Sequence, residues 1–92
     1  MAAIVDIGTF IERRPGLRGG RPVISGTGLC VRTIACCYAF HGLTPEQIAD
    51  NYPHVSLAQV YAALSYYLAN RQEIDDDLAA EAALEEQLAS QA

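Results

Sequence analysis

The sequence predicts a small α+β domain that is mainly helical: a short N-terminal β-hairpin, a three-helix helix-turn-helix module and a C-terminal helical arm. Three observations carry this reading. Residues 15–28 hold five of the chain's seven glycines and two of its four prolines around the apolar pair Val23-Ile24. Glycine supplies backbone angles that other residues avoid and proline fixes φ, so this is a shaped turn attached to a strand. Helix-start signals then recur at Thr44 and Ser56, each with glutamine three residues on. Past Asn70 the chain turns acidic and rich in alanine, leucine, glutamate and glutamine, all good helix formers.

Each element follows from local chemistry. Residues 3–7 and 10–13 are short, apolar and β-branched, so one or both are expected as strands. Residues 22–24 and 29–31 flank Ser25-Gly26-Thr27-Gly28 and are expected to form a tight hairpin. A first helix is expected over about 32–41, with Ile34, Cys37, Tyr38 and His41 on one face. Gly42 is placed to end it in the left-handed conformation. Thr44 is the N-cap of a second helix, with Pro45 at its first position and Gln47 closing a capping box. Pro53 disfavours helix at Tyr52 and ends it.

Ser56 and Gln59 form the second capping box and start a third helix. Leu57, Val60, Tyr61, Leu64, Tyr67 and Leu68 make its apolar stripe. Beyond it, residues 72–92 form an acidic arm distinct from a domain over 1–71. Ile74, Leu78, Leu84 and Leu88 give that arm a diffuse apolar face, marginal alone and better ordered on a partner.

Bulk composition narrows the class. The chain has 92 residues, of which 51% are hydrophobic and 18% charged, consistent with one folded domain and not with disorder. No apolar run is long enough for a membrane span, and the start of the chain does not read as a signal peptide. Cys30, Cys36 and Cys37 are an odd set without framework spacing. A cytoplasmic protein is expected. The net charge of −5 is unevenly spread. Residues 1–42 set five arginines against Asp6 and Glu12, a balance of +3; residues 43–92 set Arg71 against nine carboxylates, a balance of −8. Such asymmetry suggests two surfaces with different partners.

Neither catalysis nor metal binding is expected. His41 and His54 lack a positioned nucleophile. Asp75, Asp76 and Asp77 are adjacent and point apart on a helix. Cys37 and His41 are two ligands where zinc needs four, so a core role fits the cysteines better. The glycine turn lacks the lysine ending of a phosphate-binding loop, and no cofactor is expected. Arg13, Arg14, Arg18, Arg21 and Arg32 cluster near exposed amides and are candidates for DNA-backbone contact. Gln59 is a candidate for base reading, though it also serves as a cap. Tyr61, Leu64, Tyr67 and Leu68, with Ile74, Leu78, Leu84 and Leu88 of the arm, are candidates for a partner or dimer interface.

A longer pattern then emerges. It runs Ile11, Pro15-Gly16, Gly19-Gly20, Pro22, Ile24, Gly26-Thr27, Val31-Arg32-Thr33-Ile34 and Gly42-Leu43-Thr44-Pro45-Glu46-Gln47-Ile48. It continues with Tyr52-Pro53, Leu57, Val60, Ala63-Leu64 and Tyr66-Tyr67. Over roughly residues 4–78 this resembles the bacterial domain of unknown function 433 family. The resemblance implies a hairpin leading into a homeodomain-like, helix-turn-helix-like bundle, without catalytic residues. It further implies a non-catalytic antitoxin paired with a PIN-like nuclease, often encoded beside it. The basic N-terminal half adds operator DNA as an expected contact, and the tyrosine stripe adds a homodimer. The alternative is a dimeric interaction module that binds no DNA. Two departures stand out. Gly28-Leu29 replaces the family's usual Arg-Ile, removing one phosphate contact. The arm's seven carboxylates cannot plug a nuclease's acidic metal site, so the arm would act through its apolar stripe.

Overall fold

The computed structural model describes residues 6–90. Its elements are β1 (Ile11–Glu12), β2 (Val23–Ile24), α1 (Val31–Ala39), α2 (Pro45–Asn51), α3 (Leu57–Ala69) and α4 (Arg71–Ser90). The mainly helical α+β class stands.

The β element is arranged differently from the expected hairpin. β1 pairs antiparallel with β2, Ile11 opposite Ile24 and Glu12 opposite Val23. The glycine-arginine stretch is therefore the loop between the strands. The expected hairpin over 22–31 shrinks to one bridge, Val23 to Cys30, because Val31 already begins α1. Val31 N–H still donates to the Pro22 carbonyl at 3.0 Å, tying the helix start to β2. Of the expected strand over 3–7, residues 3–5 lie outside the described residues. Ile7–Thr9 form a 3-10 turn capped by the Asp6 side chain, not a strand.

Within the loop, Arg18, Gly19 and Gly20 all have positive φ, at 50°, 66° and 79°. A left-handed arginine is unusual. It is held here by its own side chain, whose Nε donates to the Gly28 carbonyl at 3.0 Å.

Both capping boxes form in full, at Thr44/Gln47 and Ser56/Gln59. Gly42 adopts φ +66° just past α1, and Leu43 N–H returns to the Cys37 carbonyl. The faces that pack are narrower than the sequence pattern. α1 buries Val31, Ile34 and Ala35, while Tyr38 and His41 are exposed: the helix starts earlier and stops at Ala39, so its inward row lies one step back. α3 buries Val60, Ala63, Leu64 and Tyr67, with Leu57, Tyr61 and Leu68 outside. A single core joins Ile24, Ile34, Ile48, Val55, Leu64 and Ile74, drawing on β2 and all four helices.

α4 is less separate than composition suggested. It starts at Arg71, and Ile74 is 1% exposed inside the common core. Full burial of such a side chain contributes roughly 2–3 kcal/mol. Leu78 packs against the same core. From Ala82 to Ser90 every residue is exposed. The first half of α4 thus belongs to the bundle and the second half projects from it.

Candidate functional site

The basic and acidic halves of the sequence meet in space. Arg13, just after β1, donates through Nη2 to Glu73 Oε1 and Tyr66 Oη, with its guanidinium 5.8 Å from the Tyr66 ring centre. These bonds, led by that to Glu73, raise the pKa of Arg13 further. Arg21 Nε contacts both oxygens of Asp77, at 2.9 and 3.0 Å. Arg32 Nη1 reaches Asp77 Oδ1 at 3.2 Å and its Nη2 lies 3.6 Å from Glu81. Glu73, Asp77 and Glu81 recur every four residues, so one row of α4 faces the arginines.

The remaining arginines are also engaged. Arg14 Nε lies 3.2 Å from Glu12, Arg18 holds the Gly28 carbonyl, and Arg71 lies 5.5 Å from the Tyr67 ring centre. All six basic side chains of the chain therefore have partners within it. Of the residues expected at phosphates, Arg13, Arg21 and Arg32 are brought together, against α4 carboxylates. Arg14 and Arg18 stand apart from that cluster. Gln59 accepts from Ser56 N–H at 2.7 Å and is held as a cap.

The expected interface residues divide in the same way. Leu64, Tyr67 and Ile74 lie in the core of the protomer, with the Tyr67 hydroxyl donating to Asp75 at 2.9 Å. Leu78 is half-buried. Tyr61, Leu68, Leu84 and Leu88 are exposed. Leu84 and Leu88 continue the row Ile74, Asp77, Glu81 at spacings of three and four, the spacing of one helix face. The face that docks α4 on the bundle thus runs on past it without cover.

Other chemistry-bearing residues are quiet. The Cys36 thiol is raised in pKa by burial and by nearby carboxylates, and burial beside Cys37 raises the Tyr52 phenol. Both are held protonated. Among the described residues no three His, Cys, Asp or Glu side chains gather as a metal site. No helix there is long and apolar enough to cross a membrane. Sequence reasoning missed Phe40, which is 68% exposed at the end of α1 and faces α4 across a shallow groove. Its only signal was a large apolar residue two positions before the helix-ending Gly42.

These features define a small hairpin-and-helix module closed by an acidic helix over its own arginines. A family model described as "Protein of unknown function (DUF433)" matches residues 11–67, more than half of the chain, and the chain belongs to this family. It is similar to the crystal structure of a DUF433 member protein from Anabaena variabilis. The two share 31% identity with a TM-score of 0.69, over 77% of this chain and 69% of that one. No match was found among curated proteins. The family match ends before α4.

Proposed function

We infer that this chain is a non-catalytic binding module, the antitoxin-like member of a toxin–antitoxin pair, whose projecting arm grips a PIN-like nuclease and whose basic N-terminal half contacts operator DNA. The observation that carries the reading is the uncovered second half of α4, with Leu84 and Leu88 at 55% and 59% exposure on a continuation of its docking face. An isolated helical stretch of that length is marginal in water and gains order on a partner. The raised pKa values of Cys36 and Tyr52 speak against their use as nucleophile or base. The nuclease itself comes from the family resemblance, not from the geometry.

A second reading, a dimeric interaction module that does not bind DNA, is favoured by the ion pairs. Arg13, Arg21 and Arg32 are already matched by carboxylates, so phosphates would have to displace Glu73, Asp77 and Glu81. Operator contact would fall to Arg14 and Arg18.

Co-expression with a PIN-like nuclease encoded beside the gene tests the leading reading, and the absence of such a gene counts against it. Truncation after Glu81 spares Ile74 and the ion pairs, so the fold should stay cooperative while rescue from the nuclease is lost. Full rescue by the truncated chain would overturn the reading. Binding of promoter duplex at low salt separates the two readings, since phosphate contacts weaken steeply as salt rises.

A further inference from the structure

Between the C-terminal end of α1 and the middle of α4 lies a groove of about 450 Å³. Its floor is apolar: Phe40 on one side, Leu78, Ala79 and Ala82 on the other. Alanines at 79 and 82 leave room for a side chain from outside. Its rim is acidic, made by Asp75, Glu81 and Glu85. Asp75 accepts from Tyr67 and Glu81 lies by Arg32, but Glu85 has no hydrogen-bond or ion-pair partner among the described residues. An apolar floor beside an acidic rim with one uncompensated carboxylate, Glu85, selects the sign of what fills it.

A second copy of this chain is a poor occupant. Its arm carries seven carboxylates and no basic residue over 72–92, so arm against groove sets like charges together. Its Arg13, Arg21 and Arg32 are held in cis and could turn outward only by leaving Glu73, Asp77 or Glu81 unmatched. Arg14 and Arg18 lie in the inter-strand loop and Arg71 opens the acidic α4, so no helix of a second copy carries more than one arginine. A helix that joins several cations to an apolar row must come from a different chain.

We propose that the α1–α4 groove is the seat of a cationic amphipathic helix of a partner protein, an apolar anchor between Phe40 and Ala82 and a Lys or Arg against Glu81 and Glu85. This rests on the arm reading above and deepens it by naming the partner's chemistry. The anchor fills the groove beside the projecting arm, so one partner helix lies along α4 and meets Glu85 and Leu88 in turn. Binding of this kind takes affinity from the anchor and on-rate and selectivity from the charges.

The test uses the full chain and three labelled model peptides followed by fluorescence anisotropy. One is an amphipathic helix of Leu and Lys, one has Glu for Lys, and one has Gln for Leu. The Leu/Lys peptide should bind, more weakly at high salt, and the other two should not. Phe40→Ala and Glu85→Arg alter exposed side chains and should leave the melting curve in place while weakening that binding about fivefold or more each. Absence of Leu/Lys binding at low salt overturns the proposal. So does equal binding by both variants, equal binding of the Leu/Glu peptide, or a wild-type dimer that Phe40→Ala disperses. Nuclease rescue separates the two claims. Loss with Leu84→Asp but not with Phe40→Ala or Glu85→Arg keeps the arm reading and removes this one.

Discussion

Arg21 and Asp77 stand 56 positions apart, yet the guanidinium Nε contacts both carboxylate oxygens. Arg32 shares the same carboxylate, so one aspartate joins the inter-strand loop, α1 and α4. Asp77→Asn keeps the shape and removes the charge. Because Arg21 is 40% exposed, the loss is discounted for solvent screening to about 1 kcal/mol, or a fall of about 4–8 °C in Tm. Thermal melts at two salt concentrations check this: the gap between wild type and variant should narrow at high salt.

The same pairs predict a gain where their loss would be expected to harm. Glu73→Gln with Asp77→Asn frees Arg13, Arg21 and part of Arg32. The double variant should bind duplex DNA in a salt-sensitive way and more tightly than wild type. Equal binding in a gel-shift series would mean that the arginines are not masked by α4.

Position along α4 sets what a leucine-sized truncation costs. Ile74→Ala empties a site in the shared core and should cost about 2–4 kcal/mol in urea unfolding. Leu84→Ala, two to three turns further on and exposed, should change stability by less than about 0.5 kcal/mol.

Gly19 and Gly42 share φ +66° but differ in what surrounds them. An alanine at 42 meets open space and carries only the left-handed cost of about 1–2 kcal/mol. At 19 the new Cβ would come 2.9 Å from Arg21 Nη1, so the end of the guanidinium that donates to the Arg18 carbonyl, beside the Nε held by Asp77, must shift. Gly19→Ala should therefore cost more, and its effect should not add to that of Asp77→Asn in a double-mutant cycle.

Burial, aided by the bond to Asp75, raises the Tyr67 phenol above its ordinary 10.0. The unfolded chain then releases this proton first as pH rises. The contribution is fully present below pH 10.0, declines above it, and is lost once pH passes the folded value. Urea midpoints should fall across that alkaline range for wild type and less for Tyr67→Phe. Ultraviolet difference titration should show a tyrosine that ionises late until the chain unfolds.

The legible part of this fold was its local part. Thr44, Gln47, Ser56 and Gln59 announce their helices because capping is settled within three residues. Gly42 does the same for the end of α1. The pairing of β1 with β2 was hidden because two-residue strands leave no periodic trace. Which side of α3 faces inward was half hidden, since Leu57, Tyr61 and Leu68 are as apolar as the residues beside them. The contacts of Arg13, Arg21 and Arg32 were invisible: their partners lie 45–60 positions away, and the charge halves read equally well as two separate surfaces.

Because the clasp joins the glycine-arginine loop to α4, the order of biosynthesis acquires weight. During translation the loop, β2 and α1 leave the ribosome long before Glu73, Asp77 and Glu81. Until those residues emerge, the nascent chain shows bare guanidinium groups and an open slot where Ile74 will sit. Closure is therefore a late event of long contact order, and chains cut short before α4 should be the sticky, chaperone-dependent species of this protein.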